Sequence, residues 1–137
     1  MSRRDEDFQA ISDAELEVLK QLWEVGPGSP RILRDALAVK GSDWAYTTVQ
    51  TLLHRLLKKG YVTRKRQGAT QVYTADCSQD ELAVRHMDDL AARVYDADAS
   101  SLVLSLVGGK RLNRSDLKRL RATLDAAEER LKKGNRG

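Results

Sequence analysis

With 137 residues, the chain is long enough for one domain with a real hydrophobic core, or for a small domain with an appendage. Charged residues make up 32% and aromatic residues only 5%, which favours a soluble, mostly helical protein and argues against a β-sandwich. The net charge of +4 modestly favours a polyanionic partner, and the single cysteine, Cys77, excludes an internal disulfide.

Targeting, metal and catalytic motifs are missing from the sequence. The polar N-terminus MSRRDEDFQA has no signal-peptide pattern, and the longest apolar run, 102–107, is far shorter than the roughly 20 residues that span a bilayer. His54 and His86 are too distant in sequence for metal-ligand spacing, and no Ser/His/Asp set or phosphate-binding glycine loop occurs. We therefore expect a cytoplasmic protein without membrane insertion, cofactor, metal or enzymatic activity.

Two short helices are predicted first. Ser12 to Glu15 has the form of a capping box, and the helix that follows ends at Gly26-Pro27-Gly28. Ser29 and Pro30 predict the start of a second helix, which Gly41 ends. The predicted buried sides are Leu16, Leu19, Leu22 and Trp23 in the first helix and Ile32, Leu33, Ala36 and Leu37 in the second. Trp44, in the link that follows, is interpreted as a core residue between helices.

The third predicted helix has one apolar face and one polar face. At 100° per residue, its apolar residues follow the spacing of a core-facing stripe. They are Val49, Leu52, Leu53, Leu56 and Leu57. The opposite arc lacks acidic residues and carries groups that read base edges and phosphates in DNA. These are Thr47, Thr48, Thr51, His54, Arg55 and Lys58, with Gln50 at the border.

A basic β-hairpin is predicted next, over 61–74. Val62, Arg64 and Arg66 alternate before a turn near Gln67 and Gly68, and Val72 and Thr74 alternate after it. From 45 to 75 the chain has six Lys or Arg and no Asp or Glu: Arg55, Lys58, Lys59, Arg64, Lys65 and Arg66. Helix, helix, longer helix and hairpin is the order of a winged helix, in which the third helix enters the major groove.

A basic helical face is often only a solvated surface, so the third helix alone does not establish DNA binding. Its position after two shorter helices and before a basic hairpin favours a sequence-specific DNA-binding protein. A winged helix that docks an acidic protein partner, or that has an architectural role, is the alternative; specific binding to a promoter fragment would count against it.

The rest of the chain, after Asp76, is predicted to be helical. Ser78 to Glu81 has the form of another capping box, 99–107 is apolar enough to be buried all round, and Asn113 is the predicted N-cap of a last helix. Leucines and an alanine recur in that helix at spacings of 3, 4, 3 and 4, as in a coiled-coil seam. They are Leu117, Leu120, Leu124, Ala127 and Leu131. Candidate buried residues before them are Leu82, Met87, Leu90 and Val94.

The last helix taken alone could equally fold back on its own domain. About 60 residues of short helices with almost no aromatic residue make a poor independent core but a reasonable half of a shared one. We therefore predict a homodimer, held by Leu102, Leu106, Leu117, Leu120, Leu124 and Leu131. The predicted organisation is a disordered arm over 1–10, a winged-helix domain over 11–76, a helical dimerisation domain over 77–133 and a disordered tail over 134–137.

From Ile11 to Leu131 the chain resembles the penicillinase-repressor (BlaI/MecI/CopY) family of winged-helix transcriptional repressors. The resemblance depends on the order and spacing of ISDAELEVLKQLW, DWAYTTVQTLLHRLLKKGYV, the strand end at Val72-Tyr73, SLVLSLV and LNRSDLKRL. It implies an N-terminal winged helix, a C-terminal helical dimerisation domain and repression from operators with TACA/TGTA-type half-sites. The residues implied in DNA contact are Thr47, Thr48, Gln50, Thr51, Arg55 and those around Arg66.

The resemblance also implies how such repressors are released, and here the chain departs from the family pattern. In antibiotic-responsive members, a protease linked to a membrane sensor cuts an Asn-Phe bond in the apolar helix, and the matching position here is Ser105-Leu106. The cysteine-rich tail of copper-responsive members has no counterpart in AAEERLKKGNRG. Thr47 and His54 stand where related repressors often have lysine, which predicts a different operator preference.

Overall fold

The structure, a computed structural model, describes residues 9–96 and 98–136. The elements it contains there are six helices and one antiparallel hairpin, which confirms the predicted fold class. The helices are α1 (Asp13–Val25), α2 (Pro30–Val39), α3 (Tyr46–Lys59), α4 (Gln79–Val94), α5 (Ala99–Gly108) and α6 (Arg114–Arg136), and the strands are β1 (Val62–Gln67) and β2 (Thr70–Ala75).

The chain divides into two compact units after Ala83. The sequence placed this boundary after Asp76, but Leu82, near the start of α4, is buried and belongs to the core of the first unit. The predicted disordered tail also differs from the structure, because α6 continues to Arg136. Most of the predicted N-terminal arm, residues 1–8, lies outside the described residues.

The core of the first unit lies between α1, α2, α3 and the base of the hairpin. It contains buried residues from each of these elements: Val18, Leu19, Leu22, Leu33, Leu37, Val49, Leu52, Leu53, Leu56, Tyr61, Val62 and Tyr73. Trp44 and Leu57 are partly buried and pack against it, as predicted. Ile32 was wrongly predicted to be buried: it is 53% exposed, because the short α2 turns Leu33 and Leu37 inward and leaves Ile32 at the edge of that face.

Caps and a β-bridge fix where these elements begin. The Ser12 hydroxyl accepts a hydrogen bond from the Glu15 amide, and the Glu15 carboxylate accepts one from the Ser12 amide, so the predicted capping box is present. The Ser29 hydroxyl caps α2 in the same way, with Pro30 in its first turn. Gly28 and Tyr73 exchange two backbone hydrogen bonds, which attach the loop between α1 and α2 to β2.

A buried ion pair joins the start of α1 to the end of α3. Glu15 is 1% exposed, and its Oε1 lies 2.7 Å from the Lys59 ammonium. The same ammonium donates to the Ala10 carbonyl at 2.9 Å, and the Tyr61 hydroxyl donates to the Gln9 carbonyl. Burial alone would raise the pKa of Glu15, but the hydrogen bonds from Lys59 and Ser12 outweigh it and lower that pKa below its ordinary value.

The second unit buries little of its own apolar surface. Among its described residues only Ala91 is buried. The candidate buried residues Met87, Leu90 and Val94 are exposed in the single chain, so their burial in a shared core stays a prediction. The run 99–107 forms α5 but is likewise not buried all round, since Leu104 is 69% exposed. Too few large side chains surround these helices within one copy of the unit to cover them. The predicted cap of α6 is present, with reciprocal hydrogen bonds between Asn113 and Asp116.

Replacing Glu15 with Gln removes the charge paired with Lys59. We expect the free energy of unfolding at pH 7 to fall by about 1.5–3 kcal/mol, the usual contribution of a hydrogen bond to a charged group. The lowered pKa of Glu15 makes this stabilisation present above pH 4.5, the ordinary value, and lost as the pH falls through the folded-state value. Denaturant unfolding at pH 7 and in acid tests this. The difference in the free energy of unfolding between the parent protein and Glu15→Gln should be smaller in acid.

The matched control is Glu17→Gln, which removes a carboxylate 3.7 Å from Lys20 in a pair about half exposed. Such a pair contributes about 0–1 kcal/mol. An equal loss in both variants, or a Glu15→Gln loss that persists undiminished in acid, would contradict the role given to this ion pair.

Candidate nucleic-acid interface

The packing of α3 leaves the predicted recognition face in solvent. With the apolar stripe buried against α1 and α2, the opposite arc is exposed, and Gln50 is half-buried at its border as predicted. The exposed members are Thr47, Thr48, Thr51, His54, Arg55 and Lys58. One helical face therefore offers hydroxyl, imidazole, guanidinium and ammonium groups, with no carboxylate among them.

Two polar side chains on this face are hydrogen-bonded to the helix turn before them. The Thr51 hydroxyl donates to the Thr47 carbonyl at 2.9 Å, so Thr51 offers a ligand only lone pairs and its methyl group. The Gln50 amide nitrogen donates to the Tyr46 hydroxyl at 3.4 Å. The face is thus partly ordered before any ligand binds.

The N-terminus of α3 has no side-chain cap. Its N-cap is Ala45, whereas α1 and α2 each begin at a serine whose hydroxyl bonds to the helix. The first turn of α3 contains no acidic residue either. Uncapped N–H groups and the positive end of the helix dipole suit a phosphate oxygen, so this end of α3 extends the candidate surface. Alanine in place of the usual Ser, Thr, Asp or Asn was the sequence signal for it.

The strand register divides the basic residues of the hairpin between two faces. Arg64 pairs with Tyr73 and Arg66 with Gln71, so the two arginines share the face that leads from the buried base of the hairpin to its tip. Lys65, one residue between them, lies on the other face. Lys65 was not among the predicted contact residues, and alternation alone could have separated it from the arginines.

Arg66 is partly ordered by the hairpin turn. Its Nε donates to the Gly68 carbonyl at 3.1 Å, and Gly68 has a positive φ of 64°, which the tight turn requires. The two terminal nitrogens of this guanidinium still carry donors for a phosphate. The turn therefore presents a fixed cation at the tip of the wing.

The structure removes Lys59 from the predicted basic surface. Its ammonium is held by Glu15 and the Ala10 carbonyl, and its side chain is only 22% exposed. Its charge is neutralised within the fold, although Lys58, its neighbour in sequence, is exposed. Five of the six basic residues over 45–75 are therefore left for a polyanion. A carboxylate 44 residues away in the chain gives no local pattern that could have separated the two lysines.

The predicted dimerisation residues are largely uncovered in the single chain. Leu106, Leu117, Leu124 and Leu131 are exposed, and Leu102 and Leu120 are half-buried. Ser105 and Leu106, at the predicted cleavage position, lie inside α5, where the Ser105 carbonyl accepts from the Gly109 amide and its hydroxyl contacts the Tyr95 hydroxyl at 2.8 Å. A protease that takes an extended chain would first have to unwind this helix.

No cluster of His, Cys, Asp and Glu that could hold a metal ion occurs in the part of the chain that the structure describes. Within the same residues no helix is both long and apolar enough to cross a bilayer.

The three-helix order, the hairpin and the acid-free exposed face define a winged-helix DNA-binding protein. The family model described as penicillinase repressor matches residues 11–126, and the chain belongs to this family of transcriptional repressors.

Named relatives agree with that assignment. The penicillinase repressor of Bacillus licheniformis is 30% identical over 122 residues, which cover 89% of this chain and 94% of that protein. The methicillin resistance regulatory protein MecI of Staphylococcus aureus (strain N315) is 27% identical over 121 residues, covering 88% and 98%. Two solved structures are also similar to this chain. The solution structure of the DNA-binding domain of the repressor BlaI is 36% identical, with a TM-score of 0.48. The solution structure of monomeric Bacillus licheniformis BlaI in complex with the blaP half-operator is 36% identical as well, with a TM-score of 0.46. Each match covers 54% of this chain and 89% of the solved chain.

The adjacent lysines at the end of α3 provide a matched test of this surface. Lys58→Ala should weaken binding to duplex DNA and lower the slope of log K against log salt by about 1, because one phosphate contact is lost. Lys59→Ala should leave that slope unchanged and instead lower the thermal stability, since it leaves Glu15 buried without its charge partner. Fluorescence anisotropy at several salt concentrations, with a melting curve for each variant, distinguishes the two. Equal slope changes would contradict the assignment of these lysines.

Proposed function

We propose that this chain is a transcriptional repressor that binds a pseudo-palindromic DNA operator as a homodimer. The observation that carries the proposal is the exposed face of α3, which lacks carboxylates and continues into the cations of the hairpin. Membership in a family of repressors agrees with it. Such a protein blocks transcription by occupying its operator in the compartment that holds the DNA, which for a bacterial repressor is the cytoplasm.

On the operator, α3 lies in the major groove and the hairpin contacts the neighbouring backbone. Arg55 suits bidentate pairing to guanine and Gln50 to adenine, and the Thr51 methyl suits a thymine. Lys58, Arg64 and Arg66 suit phosphates, which supply most of the affinity but no sequence information. Thr47, Thr48 and His54 complete the proposed contact surface.

The homodimer is supported by the apolar surface that one copy of the second unit leaves exposed. In α6 the leucines at 117, 120, 124 and 131 follow a heptad-like spacing, and Leu124 is 60% exposed. A second copy would cover such a seam by two-fold symmetry. The same symmetry presents two copies of α3 to two half-sites, so binding of the second half-site becomes intramolecular.

Release of the repressor is proposed to involve a sensor-linked protease acting near Ser105-Leu106, or another signal acting on the dimer. Breaking the chain inside α5 would separate the α6 seam from the winged helix and return each winged helix to single-site affinity. If co-expression with a cognate sensor protease leaves the chain intact while target genes switch on, proteolysis is not the signal.

Selection of genomic DNA fragments by the purified protein near physiological salt tests the repressor directly. We expect an enriched two-fold site, and a location upstream of a β-lactamase-like or stress-response gene would identify the circuit. Arg55→Ala should lose about 1–3 kcal/mol of binding free energy and relax base preference at one position. Salt-sensitive binding without any enriched site would overturn the proposal and favour an architectural or protein-docking role.

Leu124→Asp tests the homodimer. We expect the variant to sediment as a monomer and to lose affinity for the full operator, while its affinity for an isolated half-site stays unchanged. Ala122→Asp is the matched control, because residue 122 faces away from the seam at 100° per residue. Sedimentation equilibrium that finds the parent chain monomeric, or both variants dimeric, would contradict the proposed seam.

A further inference from the structure

Tyr46 neither packs in the core of the first unit nor caps a helix. It is the first residue of α3, is 37% exposed and is not among the residues of the core cluster. Its hydroxyl accepts the hydrogen bond from the Gln50 amide nitrogen one helical turn later. The tyrosine therefore contacts the one carboxamide on the recognition face.

We propose that Tyr46 is a positioning residue that holds the Gln50 side chain in place and so strengthens the preference of Gln50 for one base. This inference rests on the proposed function of α3 as the recognition helix. It names a residue that the sequence did not place in the site.

The orientation of a carboxamide decides its base preference. A glutamine pairs with adenine when its oxygen accepts from the N6 amino group and its nitrogen donates to N7. An unrestrained glutamine can turn its amide over and offer the donor and acceptor in exchanged positions. The Tyr46 hydroxyl can donate or accept, so the bond to it restrains where the Gln50 carboxamide lies. With the amide nitrogen toward Tyr46, as in the structure, the oxygen and the second N–H of Gln50 remain for a base.

The bond also sets what Tyr46 itself can offer. Its oxygen accepts from Gln50, so the phenolic hydrogen stays available to donate to a phosphate oxygen beside the uncapped end of α3. Thr51 is held in a similar way by the Thr47 carbonyl. Neighbouring positions 50 and 51 are thus both oriented by the preceding turn, which reduces the freedom lost when DNA binds.

The test compares base preferences rather than affinity alone. Wild-type protein, Gln50→Ala and Tyr46→Phe are each used to select from a randomised duplex DNA library, and the bound fractions are sequenced. Gln50→Ala identifies the base pair that Gln50 reads. Tyr46→Phe, which keeps the ring and removes the hydroxyl, should reduce preference at that same base pair about 2- to 10-fold, the range for one neutral hydrogen bond, and leave the other positions unchanged.

Tyr95→Phe is the matched control. It removes a phenolic hydroxyl that contacts Ser105 in the second unit, and it should leave every base preference unchanged. If Tyr46 had a purely structural role, Tyr46→Phe would weaken binding to all sequences equally. A lowered melting temperature together with such a uniform loss of affinity would therefore overturn the inference. A Tyr46→Phe profile identical to that of the wild type would also overturn it.

The failure of this inference is distinguishable from failure of the repressor. If Gln50→Ala changes no position while the wild type still selects a site, the positioning role is wrong and operator binding stands. If the wild type selects no site, the proposed function fails, and the inference fails with it.

Discussion

The burial of the α3 stripe is the constraint on which the interface depends. Val49, Leu52, Leu53 and Leu56 are each at most 5% exposed. Since successive residues are rotated by about 100°, packing these four against α1 and α2 leaves no freedom in which side chains face solvent. Loss of one large side chain from such a stripe costs about 2–5 kcal/mol, a large part of the stability of a small domain. The same packing that stabilises the first unit therefore orients its recognition face.

The ion pair between Glu15 and Lys59 adds a second constraint, at the opposite end of α3 from Tyr46. It joins a capping box on α1 to the last turn of α3 and to the carbonyl of Ala10, so the C-terminal end of α3 is positioned by groups outside the helix. A buried pair of this kind is weak evidence for stability by itself. The pair matters here because it holds Lys59 within the fold, while Lys58 stays exposed to a ligand.

Local patterns predicted most of the fold and of the candidate site. Caps at Ser12, Ser29 and Asn113, the stripe of α3 and the hairpin turn all depend on residues a few positions apart, which is the range that sequence periodicity detects. Contacts between residues far apart in the chain are outside that range. Such contacts pair Lys59 with Glu15, bury Leu82 in the core of the first unit and leave Ile32 exposed. In the second unit, apolar composition predicted burial, but a single copy has too few neighbours to provide it.

The exposed face of α3 and the hairpin together form the proposed DNA-binding surface. Amide chemical-shift mapping of the full chain, titrated with a duplex recovered by selection, tests this most directly because every described backbone N–H reports its own surroundings. We expect the largest shifts in 46–58 and in 62–74, with smaller ones over α1 and α2. Shifts confined to 84–136, or to the outer side of α2, would contradict it.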